Sequence, residues 1–140
     1  MNPNEHLAVQ RILVVEDEYA IRVLLKTFLE SNAYEVRVAD DGENATAIFE
    51  EFRPDLVISD IMMPVENGLT LVSRLREKRP WIKVIYLSAW LDEADTEKRL
   101  QEELEEHPHY KLIQKPFQLD KLLEAIRNYP SSPVPATGKA

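Results

Sequence analysis

The chain has 140 residues, 44% of them hydrophobic, and a net charge of −8 from 25 acidic and 17 basic residues. That length suits one ordinary domain with its own core, and the acidic balance argues against a general nucleic-acid surface or docking on anionic membranes, both of which need basic patches. Cysteine is absent, which excludes disulfides, thiolate nucleophiles and cysteine-ligated zinc.

Met1 to Gln10 is polar and carries no apolar signal segment, so residues 1–10 read as an N-terminal extension. Ile12 to Val15 is a β-branched run, as are Leu56 to Ile58 and Val84 to Leu87. Continuous apolar runs this short suit strands covered on both faces of a parallel sheet. Tyr34, Val36 and Val38 alternate with Glu35 and Arg37 instead, which predicts a half-exposed edge strand. Tyr110 to Ile113 is a weaker fifth strand.

Helical spacing lies between these runs. Ile21, Leu24, Leu25, Phe28 and Leu29 follow the i, i+3, i+4 pattern of one apolar face. Ala45, Ile48, Phe49 and Phe52 repeat it, then Leu69, Val72 and Leu75, and finally Leu119, Leu122, Leu123 and Ile126. Asp41-Gly42 reads as a turn and cap before the second helix. Asp92 to Glu106 is mostly charged, a helix with a thin apolar stripe; a solvated face and a partner-docking surface are both open. Trp81 is expected to pack at a strand entry. The longest nearly apolar stretch, Val84 to Leu91, falls far short of the roughly 18 residues of a membrane helix. Pro- and Ser-rich residues 130–140 predict a disordered tail or linker. A soluble, cytoplasmic protein follows.

Strand and helix therefore alternate five times over residues 11–129. That order predicts an α/β domain, a parallel sheet with helices on both faces and right-handed crossovers. Ligands of such sheets bind beyond the carboxyl ends of the strands. Glu16, Asp17 and Glu18 follow the first strand, and Asp60 ends the third. Ser88 ends the fourth and Lys115 follows the fifth. Singly, each has an ordinary explanation: Asp17 and Glu18 could cap a helix, Ser88 could sit in a turn, Lys115 could be a surface lysine. Together at four strand ends they suit a metal-assisted phosphoryl acceptor. Crowded carboxylates repel. Magnesium prefers oxygen ligands, and a lysine beside it would neutralise charge on a transferring phosphoryl group.

Val-Val-Glu-Asp-Glu at 14–18, the run from Pro54 to Pro64, Gly68, Leu-Ser-Ala at 87–89 and Lys-Pro-Phe at 115–117 resemble the receiver domain of two-component response regulators. The resemblance implies a flavodoxin-like (βα)5 three-layer fold with a parallel five-stranded sheet of order 2-1-3-4-5. It implies phosphorylation of Asp60, and magnesium (manganese can substitute) bound by Asp17, Asp60 and the Met62 backbone carbonyl, with Glu16 acting through water. Lys115 and Ser88 would contact the phosphoryl group, Ser88 as the switch, and the Lys115-Pro116 bond would be cis. The implied partners are a histidine kinase or phosphotransfer protein and a downstream protein target, with a homodimer open and no direct contact to nucleic acid or membrane.

Three departures from the family pattern stand out. Leu112 replaces the usual switch aromatic. The interval from Ser88 to Lys115 is longer than usual, with the insertion expected in Glu102 to His109. Met62 and the bulky Trp90 flank the site, and Trp90 is expected to shield an acyl phosphate from water.

Two other functions compete. An aspartate-nucleophile phosphatase would need a second acid two residues after Asp60, where Met62 stands. A receiver-like module that is never phosphorylated would not need the acid, hydroxyl and lysine set. A nucleotide-binding protein lacks a glycine-rich loop, since Gly42, Gly68 and Gly138 are the only glycines. His107 and His109 are open to metal binding or to a solvated loop. No helix-turn-helix pattern appears, so a stand-alone receiver and a fragment of a larger regulator or hybrid kinase both fit.

Overall fold

The computed structural model of the chain describes residues 9–63, 66–88 and 111–129, together with 98, 101, 102 and 105. Five strands, β1 (Arg11–Val15), β2 (Glu35–Ala39), β3 (Leu56–Asp60), β4 (Lys83–Ser88) and β5 (Lys111–Gln114), form one sheet of order β2-β1-β3-β4-β5. Every pairing is parallel. Helices α1 (Tyr19–Ser31), α2 (Gly42–Phe52), α3 (Gly68–Lys78) and α4 (Leu119–Arg127) connect or follow the strands. Lys98, Gln101, Glu102 and Glu105 are also helical, in keeping with the charged helix expected there; the rest of that segment lies outside the described residues.

Successive strand residues point to opposite faces, and the two cores divide accordingly. Leu13, Val15, Val57, Val84 and Tyr86 pack with α2 and α3. Ile12, Val14, Ile58, Ile85 and Leu87 pack with α1 and α4. The central strand β3 is buried along its whole length, as its unbroken apolar run predicts. Edge strand β2 buries Val36 and Ala39 and exposes Glu35 and Arg37.

The helix starts follow local chemistry. Asp41 accepts from the Asn44 N–H at 2.8 Å and Asn67 from the Thr70 N–H at 3.0 Å, each satisfying a donor of a first turn. Glu18 stands at the N-cap of α1 without a capping side-chain bond.

Two packing expectations are corrected. Trp81 is 52% exposed, and the neighbouring Ile82 enters the core in its place, because the Pro80–Trp81 turn carries the indole outward. On α1, Leu25 and Leu29 are buried, but Leu24 is exposed together with Tyr19 and Val23. The apolar stripe of α1 is thus wider than the strip the sheet can cover. Among the described residues no helix is long and apolar enough to cross a membrane.

Candidate functional site

Register brings the polar residues to one rim. Val15 pairs with Ser59, so Glu16 and Asp60 emerge at the same level beyond that pair. Asp60 pairs with Leu87 and Ser88 with Gln114, so Ser88 and Lys115 follow one step further along the same edge. Four strand ends expected from the sequence to converge therefore do so.

Lys115 Nζ donates to Glu16 Oε1 at 2.8 Å and to Asp60 Oδ2 at 3.0 Å. Ninety-nine residues separate Lys115 from Glu16 along the chain. Glu16 and Asp60 are buried, and Asp17 beside them is exposed. One carboxylate oxygen from each of the three can be chosen so that all lie within 4.8 Å of one another. Three acids against one lysine leave negative charge to spare, and a hard divalent cation with oxygen ligands fits that donor set. The Met62 N–H donates to Asp60 Oδ1 at 3.3 Å, which places the Met62 loop against the same carboxylate.

Burial pushes the Glu16 carboxyl up to about 7, against the hydrogen bonds from Lys115 and the Glu18 N–H and helped by the charge of Asp60. Burial also raises Asp60, with Lys115 opposing. For Lys115 burial acts downward, but the bonds to Glu16 and Asp60 outweigh it and hold the ammonium above its ordinary value. Ser88 is only 2% exposed, and among the described residues its Oγ has no hydrogen-bond partner. A buried hydroxyl left unpaired is costly, so the Ser88 hydroxyl calls for a specific partner.

The rim is held by Arg22 and Gly68. Arg22 Nη1 donates to the carbonyls of Glu16 at 2.8 Å and Asp17 at 3.1 Å, fixing the β1–α1 loop. The Gly68 N–H donates to the Ile61 carbonyl at 2.8 Å, closing the loop after Asp60. A Cβ on Gly68 would collide with the Asp60 carbonyl oxygen, so glycine is required for α3 to start so close to β3. The sequence does hint at Gly68, a lone glycine at a predicted helix start, whereas nothing local marks Arg22.

The Lys115-Pro116 peptide is cis, as expected. Leu112 is 40% exposed on β5 and pairs in register with the buried Tyr86. Trp90, and with it the shielding idea, lies outside the described residues, as do His107 and His109.

A family model for the response regulator receiver domain matches residues 12–127. The chain is 32% identical to the sporulation initiation phosphotransferase F of Bacillus subtilis over 122 residues, covering 86% of this chain and 93% of that protein. It is also 32% identical over 117 residues to the transcriptional regulatory protein TrcR of Mycobacterium tuberculosis, covering 84% of this chain and 44% of TrcR. It spans less than half the length of several such relatives. Among solved structures, the chemotaxis protein CheY4 of Vibrio cholerae superposes with a TM-score of 0.76 at 26% identity, covering 87% of this chain and 99% of that one.

Proposed function

The chain belongs to the response regulator receiver family, and on that premise we propose that it is a phosphorylation switch whose phosphoacceptor is Asp60. The observation that carries this reading is the bridge from Lys115 to both Glu16 and Asp60, with Asp17 completing the carboxylate cluster.

In the proposed reaction an Asp60 carboxylate oxygen attacks the phosphorus of a phosphohistidine donor. The new O–P bond forms as the P–N bond breaks, and the imidazole leaves with the bonding electron pair. Asp17 and Asp60 would hold magnesium, or manganese in its place, joined by the Met62 carbonyl, with Glu16 supporting through water. When bound there, the ion would neutralise charge that builds on the phosphoryl oxygens. Lys115, held by two carboxylates, would turn toward the phosphoryl group and neutralise a second part of that charge. The unpaired Ser88 hydroxyl would then gain an acceptor, which is the step that links chemistry to shape. Leu112 replaces the aromatic expected to move with it, so Ser88 would carry the switch without that partner.

The reading extends to partners. Tyr19, Val23 and Leu24 are exposed on α1, which starts beside Asp17, and would face a histidine kinase or phosphotransfer protein. A downstream protein target would read the altered surface. Residues 11–129 form the switch, with 1–10 and 130–140 as extensions, and the protein works in the cytoplasm by changing contacts rather than by substrate turnover.

Intact mass after incubation with phosphoramidate, with and without magnesium, tests the reading. Wild type should gain one phosphoryl group in a magnesium-dependent way, and Asp60→Asn should gain none. Equal labelling of the two proteins would sink the assignment.

A further inference from the structure

Away from the rim, one guanidinium ties together three parts of the chain. Arg74, on α3, donates from both terminal nitrogens to the two carboxylate oxygens of Glu66, the Nη2 to Oε1 bond measuring 3.1 Å. Nη2 also reaches Thr46 Oγ1 at 3.0 Å and the Gly42 carbonyl at 3.3 Å, both in the first turns of α2. Glu66 belongs to the loop that leaves Asp60. Gly42 lies against it: a Cβ there would meet Glu66 Oε1, so a side chain at this position would displace that carboxylate.

Two described points of that loop are held. Its base is closed by the bond from Gly68 to Ile61, and Glu66 is tied to α2 through Arg74. Between them stands Met62, whose N–H meets Asp60. A bidentate guanidinium–carboxylate pair fixes direction as well as distance, which a lysine cannot do. The pair is half-buried, with 36% and 23% side-chain exposure for Arg74 and Glu66, so solvent screens it less than a surface pair.

We propose that Arg74 is a positioning residue: acting through Glu66, it ties the chain just before α3 to the start of α2 and so sets how tightly the site holds its divalent ion and how fast Asp60 gains a phosphoryl group. This rests on the phosphoacceptor reading above. It differs from a merely structural role because removing the pair loosens the Met62 segment while α2 and α3 stay packed through Phe49, Val72 and Leu75.

The test compares wild type with Arg74→Ala, Arg74→Lys, Glu66→Gln and the Arg74→Ala/Glu66→Gln double variant. The readouts are magnesium affinity by calorimetry, labelling rate with phosphoramidate, hydrogen exchange over residues 61–67 and melting temperature. Losing a group that orients a ligand costs about tenfold in metal affinity. Arg74→Ala should show a loss of that order, with slower labelling and faster exchange at Ile61 to Met63. Arg74→Lys should fall in between, since it keeps charge and loses the fork. The double variant should be no worse than Arg74→Ala, because both changes break one interaction. Folded variants with wild-type magnesium affinity, labelling and exchange overturn the proposal. If Arg74→Ala fails to fold, the isosteric Glu66→Gln decides by the same criteria. A wild type that binds magnesium but takes no label sinks the phosphoacceptor reading and leaves this one to the affinity and exchange data. A wild type indifferent to magnesium overturns both.

Discussion

The two ends of the sheet are built on opposite terms. At the amino end, leftover backbone groups find partners. Asp55 Oδ2 accepts from the Gln10 and Arg11 N–H groups at 2.9 and 2.8 Å, and Tyr129 Oη both accepts from the Val84 N–H and donates to the Val84 carbonyl, at 2.9 and 3.0 Å. Strand β5 begins opposite Ile85, so Tyr129 serves the Val84 groups that β5 does not reach. At the carboxyl end, two acids are buried against one lysine, and among the described residues the Ser88 hydroxyl is unpaired. The first end stabilises the fold; the second holds groups that a folded protein would be more stable without. Such a division is expected where a site must bind charge.

Asp60→Asn draws the contrast most sharply. It should abolish labelling, yet the melting temperature at pH 7.5 without metal should hold or rise, because a carboxylate raised by burial has been removed. A marked drop in melting temperature would break the comparison. Lys115→Ala comes next. Leaving buried charge without its partner costs about 3–5 kcal/mol, and losing a cation aimed at developing charge slows labelling by about a hundredfold. Magnesium should recover much of the stability and little of the rate.

The pH dependence should come from Glu16, whose pKa lies at about 7 in the fold against an ordinary 4.5. Between those values the folded chain holds a proton that the unfolded chain has lost. The contribution of Glu16 to stability is therefore full below pH 4.5 and is lost as pH rises toward 7. Magnesium binds the ionised acids, so its stabilising effect should grow over the same interval, with proton release measurable by calorimetry in two buffers. A metal effect independent of pH would refute this. The smallest change is at the other end. Tyr129→Phe should cost about 1–3 kcal/mol by leaving the Val84 groups unpaired, and it should leave the labelling rate untouched.

Much of this molecule is legible along the chain. The unbroken run of β3 announced a strand buried on both sides, and the alternation in β2 announced an edge. Acid, acid, hydroxyl and lysine at four strand ends mark the rim in the sequence itself. What stayed hidden depends on distant partners. Arg22 reads as one more charged residue on α1 until its guanidinium is found on the Glu16 and Asp17 carbonyls. Glu66 and Arg74 lie eight residues apart, too far to meet along a helix. Leu24 fits the apolar stripe of α1 by spacing, and only the width of the groove above the sheet shows it to be outside.

Periodicity and strand-end chemistry, both local properties, thus sufficed for the architecture and for the identity of the acids. Tertiary structure alone decided which acids share the lysine, how far burial raises Glu16 and which glycine yields space to which carboxylate. Those are matters of register and dielectric, and they come into being only when remote segments exclude water from one another.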